Sequence, residues 1–500
     1  MTSEDVRGAL RSDARVVVVE APAGCGKTHE AADAAVELAA TVGDGQEVLL
    51  LAHTNAAVQE FQRRSRSATT PVRTMTLDAF AVEILSAYAR SLHLPYPLKP
   101  GTSGGVPFND LAAKMVELLD RAPSVAGWLA SHYPVIVLDE HQDARSEQHA
   151  LALNLRDAGS RLRIFGDPMQ AIYEFGDNEL VDWNSVVEAA DVSVTLDDPW
   201  RWRGNPDLGK WILEAREALR GGGTLPLDTS PESVTVKELW DMDDAPPFYS
   251  TNVGGQVIWC IRQHLGDCPG SVAILVRNKA HEFGIRRAMP DEIVLHEGAD
   301  LELARSAVTE AMGAQNPREL ALVAVSLLDR VSTGLQEKMK QDVAKSLLSD
   351  GVDPGRRQKV LPLLRCLEPI YNDPTVAGWA RAVECLRRAQ PDFLRLHMPG
   401  TLWAVGQLAR MDDEGDAGQM LEEVIRARKL NIDLPERSVM TIHKSKGHQF
   451  DHVVVALCGA SPFPDSDEGR RLLYVALSRA RRSVHILPPS RGVSPLTPVS

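Results

Sequence analysis

Short apolar, β-branched runs alternate with helix-period segments through the first 200 residues, and that alternation predicts a parallel α/β sheet. The predicted strands are Arg15–Glu20, Glu47–Ala52, Val72–Thr76, Pro134–Leu138, Arg161–Phe165 and Val192–Leu196. A second series follows at Val234–Leu239, Val272–Val276, Ser438–Ile442, Val453–Leu457 and Ser483–Leu487. Two α/β lobes are therefore expected. Between Arg277 and Thr441 β-runs are scarce, and the spacing predicts helices over Arg318–Arg330, Gln336–Leu348 and Pro374–Arg388, which reads as an insertion in the second lobe. Pro95–Ser131 has Pro/Gly-rich ends around one amphipathic helix and reads as a smaller insertion in the first. The expected division is residues 1–94 with 132–200 for lobe one, 95–131 for its insertion, 201–290 with 436–487 for lobe two, 291–435 for its helical insertion and 488–500 for a frayed tail.

Composition narrows the class. The 500 residues are 44% hydrophobic and 24% charged, an ordinary globular balance that excludes disorder and collagen. No apolar run approaches the roughly 18 residues of a membrane span, and the N-terminus has no signal-peptide pattern, so no membrane partner and a cytoplasmic location are expected. Six cysteines without a CxxC pair argue against a disulfide framework. Cys260, His264 and Cys268 fall four apart on a predicted helix; with no evident fourth ligand they read as core packing rather than zinc. The net charge of −14 speaks at first sight against a nucleic-acid partner. Its distribution reverses that inference. The acids concentrate in Asp228–Pro247, Asp291–Glu302 and Met411–Glu423, whereas Phe61–Lys99 is basic and Arg470–Ser500 holds six arginines and no acid. Local basic surface is what a phosphate backbone meets, and the acidic segments are expected to limit nonspecific binding or to face a partner.

The sharpest motif is APAGCGKT, Ala21–Thr28, directly after the strand RVVVVE and before a helix. A strand, a Gly-containing loop and a helix N-terminus present backbone N–H groups to phosphate oxygens; Lys27 adds positive charge, and the Thr28 hydroxyl can ligate Mg²⁺. Ala23, Gly24, Cys25 and Gly26 line this phosphate-binding loop. Ala21 stands where the pattern normally opens with Gly. The Cys25 thiol reads as a small residue that fits the loop rather than a redox-sensitive group. After the apolar strand PVIVL comes DEHQD, where Asp139 can hold the Mg²⁺ shell and Glu140 can orient or deprotonate an attacking water. Gln170, in IFGDPMQ, also follows a strand end, where a neutral side chain can sense a γ-phosphate. Arginines recur at PWRWR (Arg201) and RRLLYVALSRA (Arg470 to Ala480). Arginines that neutralise transition-state charge are a known device of phosphoryl transfer.

Together these residues resemble the UvrD/Rep group of superfamily 1 helicases. APAGCGKT is similar to motif I, AHTNAAVQEFQRR to Ia, TLDAF to Ib, DEHQD to II, GDPMQAIYEF to III, LDDPWR to IV, LVRN to IVa, TIHKSKGHQFD to V and DEGRRLLYVALSRA to VI, all in family order. The resemblance implies an α/β protein of two RecA-like lobes that closes on ATP and Mg²⁺ and steps 3′→5′ along single-stranded DNA, a 3′-tailed duplex being the expected substrate. It implies that Lys27 and Thr28 bind phosphate and metal, that Asp139 ligates the metal and Glu140 is the catalytic base, and that Gln170 couples the γ-phosphate to the DNA. Arg201 and Arg479 become arginine fingers, Trp200 stacks on adenine, and Gln449 lies near the ribose. For DNA it implies His53, Thr54, Asn55, Arg63, Thr76, Phe80, Tyr173, Phe175 and His443, with core packing as the alternative for the aromatic pair Tyr173 and Phe175.

Departures from the family pattern bear on function. No adenine-reading Gln precedes the P-loop, His53 replaces a base-stacking Phe, Gly176 replaces a DNA-contacting Arg, and KGHQF stands for KGLEF. The first insertion is cut to little more than a helix, and no nuclease domain is expected after motif VI. That trimming resembles the helicase subunit of Gabija-type phage-defence systems. It leaves a second reading open, a nucleotide-switched DNA sensor that regulates a partner nuclease with little unwinding of its own.

Overall fold

The structure, a computed structural model, describes the chain except for residues 1–2, 55–56, 60, 63–70, 97, 99–105, 173–179, 238–252, 254, 290–291, 296–297, 349, 354, 356, 390–393, 397–398, 411–415, 430–435, 457–462, 489–493 and 498–500. It is a mixed α/β protein with two parallel-strand sheets, as expected of RecA-like lobes. The chain divides into two compact units, Met1–Thr235 with Phe463–Val484 and Val493–Ser500, and Val236–Pro462 with His485–Gly492.

In the first unit, β1 (Val16–Glu20), β2 (Val48–Ala52), β3 (Val72–Thr76), β4 (Val135–Leu138), β5 (Arg161–Gly166) and β6 (Val192–Thr195) form one sheet in the order β3-β2-β4-β5-β1-β6. Every neighbouring pair is parallel. β1, β2 and β4 are buried along their whole length, as continuous apolar runs covered on both faces should be. One face packs Val17, Val19, Leu50 and Val137 against the alanine-rich helix Lys27–Ala39. The other packs Val18, Leu49, Ile136 and Leu162 against the helices Leu77–Tyr88, Leu111–Arg121 and Ser146–Asp157. The small insertion differs from expectation in holding two helices, Leu111–Arg121 and Pro123–His132. Ala122, with φ −131° and ψ 72°, leaves the helical region because Pro123 follows it, and Pro123 then opens the next helix at the position proline favours.

The remaining strands are β7 (Val234–Val236), β8 (Val272–Val276), β9 (Val294–Leu295), β10 (Ser332–Thr333), β11 (Arg395–Leu396), β12 (Arg437–Thr441), β13 (Phe450–Ala456) and β14 (Ala480–Leu487). In the second unit β13, β8, β12 and β9 lie in that order, all parallel. The helical insertion is present as expected, with helices at Pro317–Val331, Glu337–Ser346 and Val376–Ala389. These share a core with β8 and β12 through residues such as Ile274, Leu328, Trp379 and Val439.

The compact units differ from the expected lobe boundaries at residues 201–235 and 463–484, both expected in lobe two and both grouped with the P-loop unit. The helix Asp467–Leu477 belongs with the P-loop unit, where it packs on the helix Pro206–Arg220 and on the turn Pro168–Gln170. Its Tyr474 is fully buried there.

Candidate nucleotide-binding site

β1 ends at Glu20 and the chain turns through Ala21–Gly26 into the helix Lys27–Ala39. Two glycines make the turn possible. Gly24 and Gly26 take φ +79° and +84°, which other residues adopt only at a cost. A Cβ on Gly24 would also lie 2.6 Å from a ring atom of Trp202. The Gly24 carbonyl accepts from Arg201 N at 3.0 Å, so the PWRWR segment is tied directly to the loop.

Behind the loop, Lys27 is buried and forms an ion pair with Glu140 at 2.6 Å. Burial opposes its charge, but the Glu140 and Asp139 carboxylates hold the ammonium above its ordinary value. Asp139, at the end of β4, accepts from the Thr28 hydroxyl at 3.4 Å through one oxygen. Its other oxygen is buried with no hydrogen-bond partner among the described residues. Burial first, and then repulsion from Glu140, push the Asp139 carboxyl up to about 7. Glu140 itself sits in the left-handed region at φ +55°, an uncommon place for a residue with a side chain. Gln142 Nε2 donates to its carboxylate at 2.5 Å.

The arginines arrive from two segments. Arg201 is half-buried, its Nη1 donating to the Ser478 carbonyl and its buried Nε without a partner among the described residues. Burial, and then the neighbouring Arg479, bring its guanidinium down to about 9. Arg479 donates to Gln170 Oε1 at 3.2 Å, and Gln170 Nε2 donates to Asp167 at 2.8 Å. Trp202 is buried and donates to the Ala480 carbonyl at 2.7 Å, whereas Trp200 is 47% exposed, with the Arg203 guanidinium 3.0 Å from its ring centroid. Cys25 is buried, and burial, then the Asp167 charge, push its thiol up to about 12, in keeping with a packing role.

Three residues that hold the site together, Asp167, Tyr474 and Arg216, escaped the sequence reading. Asp167 is wholly buried and receives hydrogen bonds from Ala23 N, Met169 N, Gln170, Arg216 and the Tyr474 hydroxyl. Tyr474 in turn accepts from Ala23 N at 2.8 Å. Arg216 bridges Asp167 at 2.9 Å and Glu20 at 2.7 Å, and those carboxylates hold it charged despite its burial. This network fixes the P-loop to β5 and to motif VI. Asp167 and Tyr474 lie inside quoted motifs, so only their roles were unread; Arg216 lies in the featureless pattern of an amphipathic helix.

The expected nucleic-acid residues fare unevenly. Asn55, Arg63, Tyr173 and Phe175 lie outside the described residues. His53 is half-buried and Thr54 exposed just beyond β2, where the Thr54 hydroxyl accepts from Ala57 N at 3.2 Å. The Thr76 hydroxyl caps the helix Leu77–Tyr88 by accepting from Ala79 N. Phe80 must be corrected: it is 1% exposed and packs edge-on against Tyr133 at 6.1 Å, because its helix turns Leu77, Phe80, Ala81 and Ile84 toward the sheet. His443 and Gln449 are half-buried residues of the second unit, on and just after the short helix Ile442–Ser445.

Comparison with known proteins supports the family resemblance. The UvrD-like helicase C-terminal domain family matches residues 438–487, and an AAA domain family matches residues 5–176. The "Exonuclease/helicase subunit RexA" of Lactococcus lactis subsp. cremoris is 23% identical over 69% of this chain and 35% of its own length. The "Putative ATP-dependent DNA helicase YjcD" of Bacillus subtilis is 23% identical over 77% of this chain and 55% of its own. The chain thus spans about a third to about half of these relatives. The crystal structure of Pif1 helicase from Candida albicans aligns over 97% of this chain and 93% of that one, with a TM-score of 0.37 and 14% identity. Among the described residues no helix is long and apolar enough to cross a membrane.

Proposed function

We propose that this chain, a UvrD-like superfamily 1 helicase by family, is a DNA-dependent ATPase that moves 3′→5′ along single-stranded DNA. The observation that carries the reading is the gathering of Lys27, Thr28, Asp139, Glu140, Gln170, Arg201 and Arg479 around one P-loop, although they come from five separate stretches of sequence.

In the resting site Lys27 is engaged by Glu140. Arriving phosphates compete for the Lys27 ammonium, and Glu140 is then released to accept a proton from water. That water's oxygen attacks the γ-phosphorus, the bridging O–P bond breaks and its electron pair stays on the departing ADP. Arg201 and Arg479, held close despite their like charge, offset the charge that spreads over the transferring phosphoryl oxygens. The donor set fits a hard divalent cation: Thr28 Oγ1 and the Asp139 carboxylate, one of whose buried oxygens lacks a partner among the described residues, would hold Mg²⁺, which would neutralise phosphate charge. Trp200, exposed beside Gly26, offers a ring face for the base. Gln170 touches both Arg479 and Asp167, so movement at the phosphates reaches β5 and motif III.

ATP hydrolysis by the purified chain, with and without single-stranded DNA, tests this. DNA should stimulate turnover and Lys27→Ala should abolish it; an unstimulated rate that survives Lys27→Ala removes the proposal. Similarity to an "Exonuclease/helicase subunit" favours a second reading, an ATP-switched subunit that regulates a partner nuclease. Strand displacement on a 3′-tailed duplex separates the two, since robust unwinding by the isolated chain excludes a pure switch.

A further inference from the structure

The second unit carries a cluster that the nucleotide chemistry does not use. Cys268, His452 and His485 each place a ligand atom within 4.8 Å of the other two. Cys268 follows the helix Gly255–Asp267, His452 lies on β13 and His485 on β14, so three distant stretches of sequence converge. Cys268 Sγ is 3.9 Å from His485 Nε2. In a tetrahedral zinc site with Zn–S of about 2.3 Å and Zn–N of about 2.0 Å, a sulfur–nitrogen edge is about 3.6 Å. A contraction of a few tenths of an ångström would bring that edge to the tetrahedral length, with the remaining pairs within 4.8 Å.

Their surroundings hold these groups in place. The Pro269 carbonyl lies 3.1 Å from His452 Nε2, the kind of outer contact that orients metal-binding imidazoles. The turn after Cys268 is pinned to β13: Ser271 N and its hydroxyl donate to Asp451 at 3.0 and 3.1 Å, and His452 N donates to the Ser271 carbonyl at 2.9 Å. Gly270 permits this with φ +102°, where a Cβ would lie 2.5 Å from the Asp451 carboxylate. His452 is buried, while Cys268 and His485 are half-buried, so an ion has a way in. The helical spacing Cys260, His264, Cys268 reads in the sequence as core packing. Cys260 faces the core, Cys268 takes part, and the side chain of His264 lies outside the described residues.

The geometry points to a zinc site formed by Cys268, His452 and His485 that staples the Cys268 turn to β13 and β14. One thiolate with two imidazoles is a borderline-soft set that suits zinc over magnesium or calcium, and three protein ligands leave a fourth position for water. The site lies in the second unit, and its test does not depend on the nucleotide reading.

The untagged full chain, purified from zinc-supplemented medium and dialysed, should carry about one zinc per chain by mass spectrometry, falling to less than about a tenth in Cys268→Ser and His485→Gln and unchanged in Cys260→Ser. Added CoCl₂ should give a thiolate-to-cobalt charge-transfer band in the wild-type chain and none in Cys268→Ser. Zinc should also slow reaction of the Cys268 thiol with Ellman's reagent. Substoichiometric zinc in the wild-type chain, or metal content indifferent to Cys268→Ser and His485→Gln, overturns the proposal. If a variant fails to fold, the cobalt band and thiol protection of the wild-type chain decide, and their absence overturns it equally.

Discussion

Arg201→Gln should raise the stability of the nucleotide-free protein while it destroys turnover. Without phosphate, Arg201 is a half-buried cation whose Nε is buried with no partner among the described residues and whose charge is opposed by another arginine, Arg479. A guanidinium brought from 12.5 down to about 9 carries a penalty of up to roughly 5 kcal/mol in its charged form. The penalty is present in full at every pH below about 9 and is relieved only above it, because there the folded state binds fewer protons than the unfolded one. Against this stands the hydrogen bond to the Ser478 carbonyl, worth about 1–3 kcal/mol for a charged donor. Glutamine keeps a donor and removes the charge, so the net gain should be about 1–3 kcal/mol, a few degrees in Tm for a unit of this size. The backbone bond from residue 201 to the Gly24 carbonyl is untouched. Thermal unfolding is measured with and without ATP and Mg²⁺, alongside single-stranded DNA-stimulated hydrolysis. ATP should stabilise the wild-type protein more than the variant, and kcat should fall about 10³-fold, the lower end for an arginine finger. A variant less stable than wild type without nucleotide, or one that hydrolyses ATP normally, refutes the reasoning.

Gly24→Ala combines a left-handed backbone with a collision against Trp202, so it should cost about 1–3 kcal/mol of stability and most nucleotide binding, read by denaturant unfolding and fluorescent-nucleotide titration. Normal affinity in that variant would show that the loop does not need this conformation. With its thiol near 12, Cys25 should be thiolate in about one molecule in ten thousand at pH 8 and resist iodoacetamide, as peptide mapping can check. Labelling of Cys25 at the rate of a surface thiol would contradict its burial. Arg216→Met removes the ion pair of the buried Asp167, whereas Glu20 keeps Arg220, and should destabilise the first unit by about 3 kcal/mol in urea unfolding. Burial opposes its ionisation, yet Arg216 and then the Gln170 amide hold the Asp167 carboxyl below its ordinary value. Its contribution is therefore full above the unfolded value of about 3.9 and is lost as pH falls through the folded one. In Arg216→Met that acid limb should weaken or reverse; an unchanged acid limb would show that Arg216 does not set the Asp167 charge.

Local pattern told most where one segment suffices. The runs VVVV, VLLL and VIVL are strands because they are buried on both faces, and their ends came out within a residue or two of expectation. The P-loop was legible because its chemistry is contiguous. Arg216 was not, since nothing within Pro206–Arg220 distinguishes an arginine that will meet Asp167 from one that will meet solvent. Phe80 shows the reverse error: family position suggested a DNA contact, while the spacing Leu77, Phe80, Ala81, Ile84 already described a core-facing helix stripe. The convergence of Cys268, His452 and His485 was beyond reach, because it depends on strand order and not on spacing.

Where local rules fail here, they fail together and at the phosphate-binding loop. Glu140 adopts a backbone conformation that side chains disfavour, two arginines oppose each other's charge, and a buried aspartate keeps an oxygen without a partner among the described residues. Each feature costs stability, and none improves packing. On the proposed function a single ligand would relieve two of these: phosphate oxygens would compensate the arginines and a cation beside them Asp139, while Lys27 would exchange Glu140 for phosphate. A fold held together by the Glu20–Arg216–Asp167–Tyr474 network can carry that local cost, because the network fixes β1, β5, the P-loop and motif VI without drawing on the strained groups. The separation has a measurable consequence. Substitutions within the network should lower stability with and without nucleotide alike, whereas substitutions at Arg201 should lower it only when ATP is present.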